Sequence, residues 1–571
     1  MQKHILSTST TYFILALILW GSSPARSATV NLQEPGSVTA GAQQTGDQKT
    51  VSPEKPKAVY ESSTVLKAVT RLVVVDVIAT NHKGEPLTGL TAKDFTLLEN
   101  GTPQQLRFFS FQSGASMAER TAPSSATRPT NIFTNIPEHT TGSALNVVLL
   151  DALNTSLLNQ VDVQQQMLKL LAKLPNDRPM AVYVLGDKLR LLQDFTSDPA
   201  LLQQTIEHWK TQASALLANP SGGPESELYG GRAGHVPKQF ILGMISSESD
   251  VRAGYTLSAL SALAHTLAGY PGRKNLIWVS ETFPLYVNSD TTISAVRPDS
   301  TRTYDLEVSK TADALMNAQV AVYPIHTRGM TNIDYFKAGN NGYDAFGTSL
   351  INYRFNGLRM QEAGSNLSDN LQSAHVAIDE LAERTGGRAF YNTNDFGNAV
   401  RLSMDDGSTY YTLGYYPQNK HWDGKFRKIQ LKTNHPGAKL RYRFGYFAVD
   451  PSSYEKQGPG ERARDFGQAM NLDYPVSTAL IFKVGVMPPS AKTHNRVAVN
   501  YLVDAHAISF ERQEDGLQHA ILSGAVQVYS EKGEPVKTEA TTITAALTPE
   551  AFRQVMQNNL PLKQPSLSDV V

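Results

Sequence analysis

Residues 146–156 read NVVLLDALNTS, an apolar run that ends in an aspartate and then small polar residues. The run begins at Ala144, and a short unbroken apolar stretch is what a parallel strand covered on both faces requires. A carboxylate at the end of a buried strand is costly unless something pairs with it. Asp151 therefore needs a partner.

Beyond Ser156, helix and strand alternate. LNQVDVQQQMLKLLAKL (158–174) has helical spacing, PMAVYVLG (179–186) is strand-like, and the Gly186-Asp187 turn leads into KLRLLQDF as an antiparallel neighbour. Asp198 and Pro199 open a helix as N-cap and first residue, running to about Gln212. TLSALSALAHTLAGY (256–270) predicts an amphipathic helix with Thr256 at its start. KNLIWVS (274–280), AQVAVYPI (318–325) and GRAFYN (387–392) read as strands, the last two preceded by helices near 301–317 and 373–385. This rhythm over 144–405 predicts a doubly wound, Rossmann-like α/β domain. Segments 213–254, 285–300 and 331–372 interrupt it. The last, rich in Asn, Gly and Tyr, reads as either an adaptable contact surface or a floppy insert.

The flanks are all-β. Residues 63–112 hold short strand-like runs separated by the turn sequences NHKGEP and ENGTP, which predicts a small β-sandwich-like module or part of one. A Ser/Thr/Pro linker covers 113–143. Beyond the α/β domain, the alternating aromatics of 406–450 form a β-strand extension, with Asp405-Asp406 at its border read as ordinary solvated acids. A linker at 451–475 leads to a β-rich C-terminal module, 476–571. The tail of that module looks helical and then breaks off, as though closing strands were lacking and an edge exposed.

Residues 1–28 have the layout of an export signal: Lys3 and His4, an apolar run from Tyr12 to Trp20, then small residues around Ala25, Ser27 and Ala28. Nine apolar residues fall short of the roughly 20 that a spanning helix needs. The polar leader at 29–62 has little to bury. No later segment is long and apolar enough to span a bilayer, so the expected location is secreted or periplasmic. Cysteine is absent, which excludes disulfides and thiolate chemistry. Lys+Arg and Asp+Glu balance at 52 each, leaving no field for nucleic acid. The thirteen histidines form no His-Glu-x-x-His, and neither a Gly-x-Ser-x-Gly elbow nor a nucleotide-cradling glycine motif occurs.

In doubly wound sheets ligands sit beyond the carboxyl ends of the strands. Asp151, Asn154, Thr155 and Ser156, with Thr256 and with Ser280, Glu281 and Thr282, would converge there if their strands are neighbours. Such hard oxygen donors suit Mg²⁺, Mn²⁺ or Ca²⁺. The plainer alternative is that Asp151 caps a helix or pairs with a cation, while Thr155 satisfies backbone groups.

The strand–Asp-x-x-x-Thr passage, a helix beginning with threonine, and LIWVSE together resemble the von Willebrand factor type A fold and its metal-ion-dependent adhesion site. More closely, PGRKNLIWVS, AQVAVYPIHTRG, TGGRAFYNTND and YYTLGYYPQNKHWDGKFRKIQLKT are similar to the von Willebrand factor A-related proteins of acidobacterial genomes, from about Leu66 through Phe510. The resemblance implies a metal set of Asp151, Thr155, Thr256 and Glu281, with Leu153 standing where an oxygen ligand is usual and Glu281 one carbon longer than aspartate. It also implies an exported binding or scaffold protein rather than an enzyme. A protein partner would be recognised through a degenerate, magnesium-dependent adhesion site. The alternatives are a metal-independent structural module of the envelope and, with least support, an exported hydrolase.

Overall fold

The structure is a computed structural model and describes residues 11–18, 28–29, 72–113, 131–137, 144–174, 178–214, 216, 238–283, 305–327, 375, 378–391, 395–448, 470, 475–489, 496–508, 510–513, 515–530, 532 and 534–567. The expected insert at 331–372 and the leader at 30–62 lie outside the described residues.

β1 (Thr11–Ile18) and β2 (Ala28–Thr29) belong to a sheet built mainly by the far end of the chain. β3 (Val73–Thr80), β4 (Phe95–Glu99), β5 (Thr102–Pro103) and β6 (Leu106–Ser113) come next. Asn100 and Gly101 take φ of 48° and 82°, the backbone a two-residue hairpin from β4 to β5 requires. β7 (Ile132–Thr134) lies inside the segment read as linker.

The α/β domain is one five-stranded sheet of β8 (Leu145–Asp151), β9 (Met180–Leu185), β10 (Leu189–Thr196), β11 (Lys274–Ser280) and β12 (Val320–His326), in the order β10-β9-β8-β11-β12. β10 is antiparallel; the other neighbours are parallel. Every residue of β8, β9, β11 and β12 is buried, as their unbroken apolar runs demand. Helices α1 (Leu157–Leu171), α2 (Pro199–His208) and α5 (Phe396–Asp406) cover one face, where Met167, Ile206 and Val400 meet Val148 and Ile277. α3 (Lys238–Leu267) and α4 (Asp305–Asn317) cover the other, where Leu260, Leu263 and Leu315 meet Val147 and Leu276. The expected strand GRAFYN reduces to a single parallel bridge from Ile325 to Phe390. In the TGG passage before it, a Cβ on Gly387 would lie 1.9 Å from the Val322 carbonyl oxygen, so only glycine fits there. α3 begins far earlier than its periodic stretch, which places Thr256 deep inside the helix rather than at its start. The polar run Ser246–Asp250 and Gly254 hide the helix from pattern reading, yet it continues through them.

β13 (Thr409–Tyr415) lies antiparallel between β3 and β6, β14 (Phe426–Thr433) pairs with β4, and β15 (Lys439–Tyr442) and β16 (Gly445–Phe447) complete the two sheets. Segments 63–112 and 406–450 therefore contribute strands to the same two sheets and share one core, the first being part of a sandwich that the second completes. β3 is buried along nearly its whole length and must be paired on both sides. Both neighbours arrive from beyond the α/β domain. Tyr411 and Tyr415 are core side chains, against Val75, Val77 and Leu97. Asp405 and Asp406 are not free acids: they pair with Arg178 and Arg401, and with Arg441.

The C-terminal module packs two sheets, one of β17 (Phe482–Met487), β18 (Val497–Val503), β22 (Leu560–Leu567) and β7, the other of β20 (Gln518–Ser530), β21 (Pro535–Leu547), β1 and β2, with β19 (Glu511–Arg512) on β20. Val484, Tyr501, Leu522, Val526 and Val528 form its core, with α6 (Pro549–Asn558) adding Val555. The tail is helical over α6 as expected and then becomes β22. No helix among the described residues is long and apolar enough to cross a membrane.

Candidate functional site

Numbered within its own domain, the α/β sheet runs 3-2-1-4-5. The connection leaving β8 passes to one face through α1, and the chain after β11 returns through α4 on the other. The crevice of a doubly wound sheet opens at that reversal, between the carboxyl ends of strands 1 and 4. Asp151 is the last residue of β8, and Ser280 and Glu281 end and follow β11. Thr256 reaches the same rim from α3. All four candidate residues lie at this one rim.

Asp151 is 2% exposed and its oxygens are filled by protein donors. Oδ1 accepts from the Asn154 backbone N–H at 3.0 Å and from Asn154 Nδ2 at 3.1 Å. Oδ2 accepts from Asn154 Nδ2 at 2.9 Å and from Trp278 Nε1 at 3.0 Å. Burial pushes the carboxyl up to about 6, and these hydrogen bonds oppose the rise. Ser280 Oγ lies 2.9 Å from Asp151 Oδ2 and 2.6 Å from the Thr282 carbonyl, with one proton for two acceptors. A proton on Asp151 would complete that chain.

Asn154 holds the centre. Fully buried, it shares one Nδ2 hydrogen between the two Asp151 oxygens and gives the other to Thr256 Oγ1 at 2.9 Å. Its own carbonyl accepts from Thr282 N and Oγ1, both at 3.1 Å. The amide nitrogen thus lies within hydrogen-bond distance of both Asp151 and Thr256, two of the side chains the resemblance assigns to a metal.

Thr155 and Glu281 do different work. Thr155 Oγ1 accepts from the Glu281 N–H at 3.1 Å, and Glu281 Oε2 accepts from the Ser156 N–H at 2.8 Å. Ser156 is the N-cap of α1 but makes no side-chain capping bond, so the Glu281 carboxylate supplies the negative charge at that helix end. Leu153 turns into the core beside Leu149 and Trp278. This donor set does not fit a divalent ion as arranged: one ligand position is a buried leucine, an amide fills the gap, and the Glu281 carboxylate is engaged elsewhere. Among the described residues no three His, Cys, Asp or Glu side chains group as metal ligands.

No family profile matches the chain, and no curated protein matches it in sequence. Among solved structures, an aerotolerance-related membrane protein from Bacteroides fragilis matches at 11% identity over 46% of this chain and 98% of its own, with a TM-score of 0.23. A von Willebrand factor type A protein from Catenulispora acidiphila matches at 9% identity over 67% and 81%, with a TM-score of 0.22. The PilB minor pilin from Streptococcus sanguinis matches at 9% identity over 46% and 60%, with a TM-score of 0.22. The α/β layout, von Willebrand factor A-like beside antiparallel sheets, rests on the strand order and helix placement described above.

Two buried side chains at the site carry no motif. Gln160 Nε2 donates to the carbonyls of Ala152, Thr155 and Gln212, and its Oε1 accepts from Gln212 N–H, tying the loop after β8 to the chain beyond α2. Trp278, fully buried in β11, brings an indole N–H that must find an acceptor, and Asp151 is that acceptor. A tryptophan in an apolar strand beside a strand ending in aspartate was the available signal. His326, at the end of β12, packs among the rings of Phe283 and Tyr391.

Proposed function

We propose that this chain is an exported binding or scaffold protein, akin to the acidobacterial von Willebrand factor A-related proteins, whose crevice works without a resident metal ion. The observation that carries this is the Asn154 amide, which bridges Asp151 and Thr256 and supplies with two hydrogens what a cation would supply with charge. The site is then a fixed structural keystone, and recognition falls to its rim. Leu157 and Leu158 at the start of α1 are 44% and 80% exposed, and Val251 and Tyr255 on α3, flanking the residues that reach Asn154, are 42% and 46% exposed. Exposed apolar side chains on the helices at either side of a crevice suit a protein partner. Binding rather than catalysis is favoured because the Asp151 oxygens already accept from the protein and are not poised to take a proton from a substrate. Export rests on the leader at 1–28.

Pull-downs from envelope extract with wild type and with Leu158→Lys/Tyr255→Lys test the reading. Capture of the same partner in magnesium and in chelator, lost in the double variant, is expected. Capture that needs magnesium and disappears in Asp151→Ala would return the site to metal-dependent adhesion.

A further inference from the structure

Edge strands template unwanted pairing unless they are short, charged, broken by proline or covered. Most edges in this chain follow that rule. β15 carries Lys439 and Arg441, β22 carries Pro561, Lys563 and Pro565, and β21 carries Pro535, Lys537 and Glu539. β16 and β5 are three and two residues long. β20 differs. From Ala520 to Ser530 it reads AILSGAVQVYS, with neither a charge nor a proline, and both of its faces are buried: Val526 and Val528 on one, Ala525 and Tyr529 on the other.

In the structure this edge is covered by β1, antiparallel and in unbroken register from Thr11 opposite Ser530 to Ile18 opposite Ser523. The covering segment, TYFILALI, is itself uncharged and free of proline. All of it but Thr11 also lies within the apolar run Tyr12–Trp20 read as the core of an export signal. A chain cut near residue 27 or 28 keeps β20 and loses β1.

We propose that the edge of β20 from Ser523 to Ser530 is a strand-acceptor site in the processed protein. Its occupant is an extended segment of a partner polypeptide, uncharged, proline-free, apolar on both faces and antiparallel to β20. Affinity comes from the backbone ladder. Selectivity comes from the exclusion of charge on both sides, because the strand it joins is buried on both sides. This site is separate from the crevice at Asp151 and does not depend on how that crevice is read.

The test uses the full chain expressed with its leader and purified after export, with its N-terminus read by mass spectrometry. A labelled peptide of sequence Thr11–Ile18, carrying solubilising lysines outside those eight residues, is titrated against it. A second peptide carries Leu15→Pro and Ala16→Pro; adjacent strand residues point their N–H groups in opposite directions, so one proline must remove a ladder donor. The expected result is a processed N-terminus, saturable binding of the first peptide, and binding of the second weaker by at least about tenfold. Retention of residues 11–18 would overturn the proposal, as would a processed chain that binds neither peptide or both equally. Self-association through β20 that leaves no room for the peptide would assign the edge to a second copy and overturn it too.

Discussion

Asn154→Ala removes the group on which the site is built. The variant deletes the hydrogen bonds from Nδ2 to both Asp151 oxygens and to Thr256 Oγ1, at positions that are 2% and 0% exposed. A hydrogen bond to a buried charge is worth about 1.5–3 kcal/mol, and an unsatisfied buried hydroxyl costs about 1–2 kcal/mol more. Local destabilisation of about 3–5 kcal/mol results, with Asp151 pushed further toward its protonated form. The chain has several cores that need not unfold together, so hydrogen exchange in peptides covering 144–156 is the assay, rather than one melting temperature. The substitution also opens the gap between Asp151 and Thr256. Millimolar magnesium should then restore part of the lost protection in the variant and add none to wild type. Exchange in Asn154→Ala within about 0.5 kcal/mol of wild type would mean that Asn154 does not hold the site together, because an amide that replaces a cation cannot be dispensable.

The same geometry sets other expectations. Asp151 titrates near 6 in the fold against 3.8 when free, so the folded state binds the extra proton between those values. Its contribution to stability is present below pH 3.8 and is lost as pH rises through about 6, a change of about 3 kcal/mol. Stability–pH curves of wild type and Asp151→Asn should differ by that slope, and parallel curves would count against it. Glu281→Ala removes the acceptor at the start of α1 and should cost about 1 kcal/mol, while Glu281→Gln, which keeps an oxygen for the Ser156 N–H, should cost less; equal losses of hydrogen-exchange protection in peptides covering 156–171 would deny the capping role. Gly387→Ala must displace β12, because its Cβ would lie 1.9 Å from the Val322 oxygen, and a soluble variant with wild-type hydrogen exchange in peptides covering 320–326 would contradict that packing.

The α/β domain was legible because strands buried on both faces write themselves as unbroken apolar runs, as in NVVLL and LIWV. The pairing of β3 with β13 was not, since strands from opposite ends of a domain carry no local signal of each other. At the candidate site, the four residues singled out in the sequence meet at one rim, but the atom that joins two of them belongs to a fifth, Asn154. Asn154 reads in sequence as one of several hard oxygen donors. The fold turns Leu153 into the core and Asn154 inward, and Nδ2 rather than Oδ1 meets Asp151. Glu281 reads as a long aspartate, and its extra carbon takes the carboxylate to the start of α1.

A crystal of the exported protein grown in millimolar manganese, measured at the manganese edge, would show whether the Asn154 amide or a metal ion joins Asp151 to Thr256. Side-chain amide density between Asp151 and Thr256 is expected, with no anomalous peak there. A manganese peak bound to both residues, with the Asn154 side chain swung away, would contradict it.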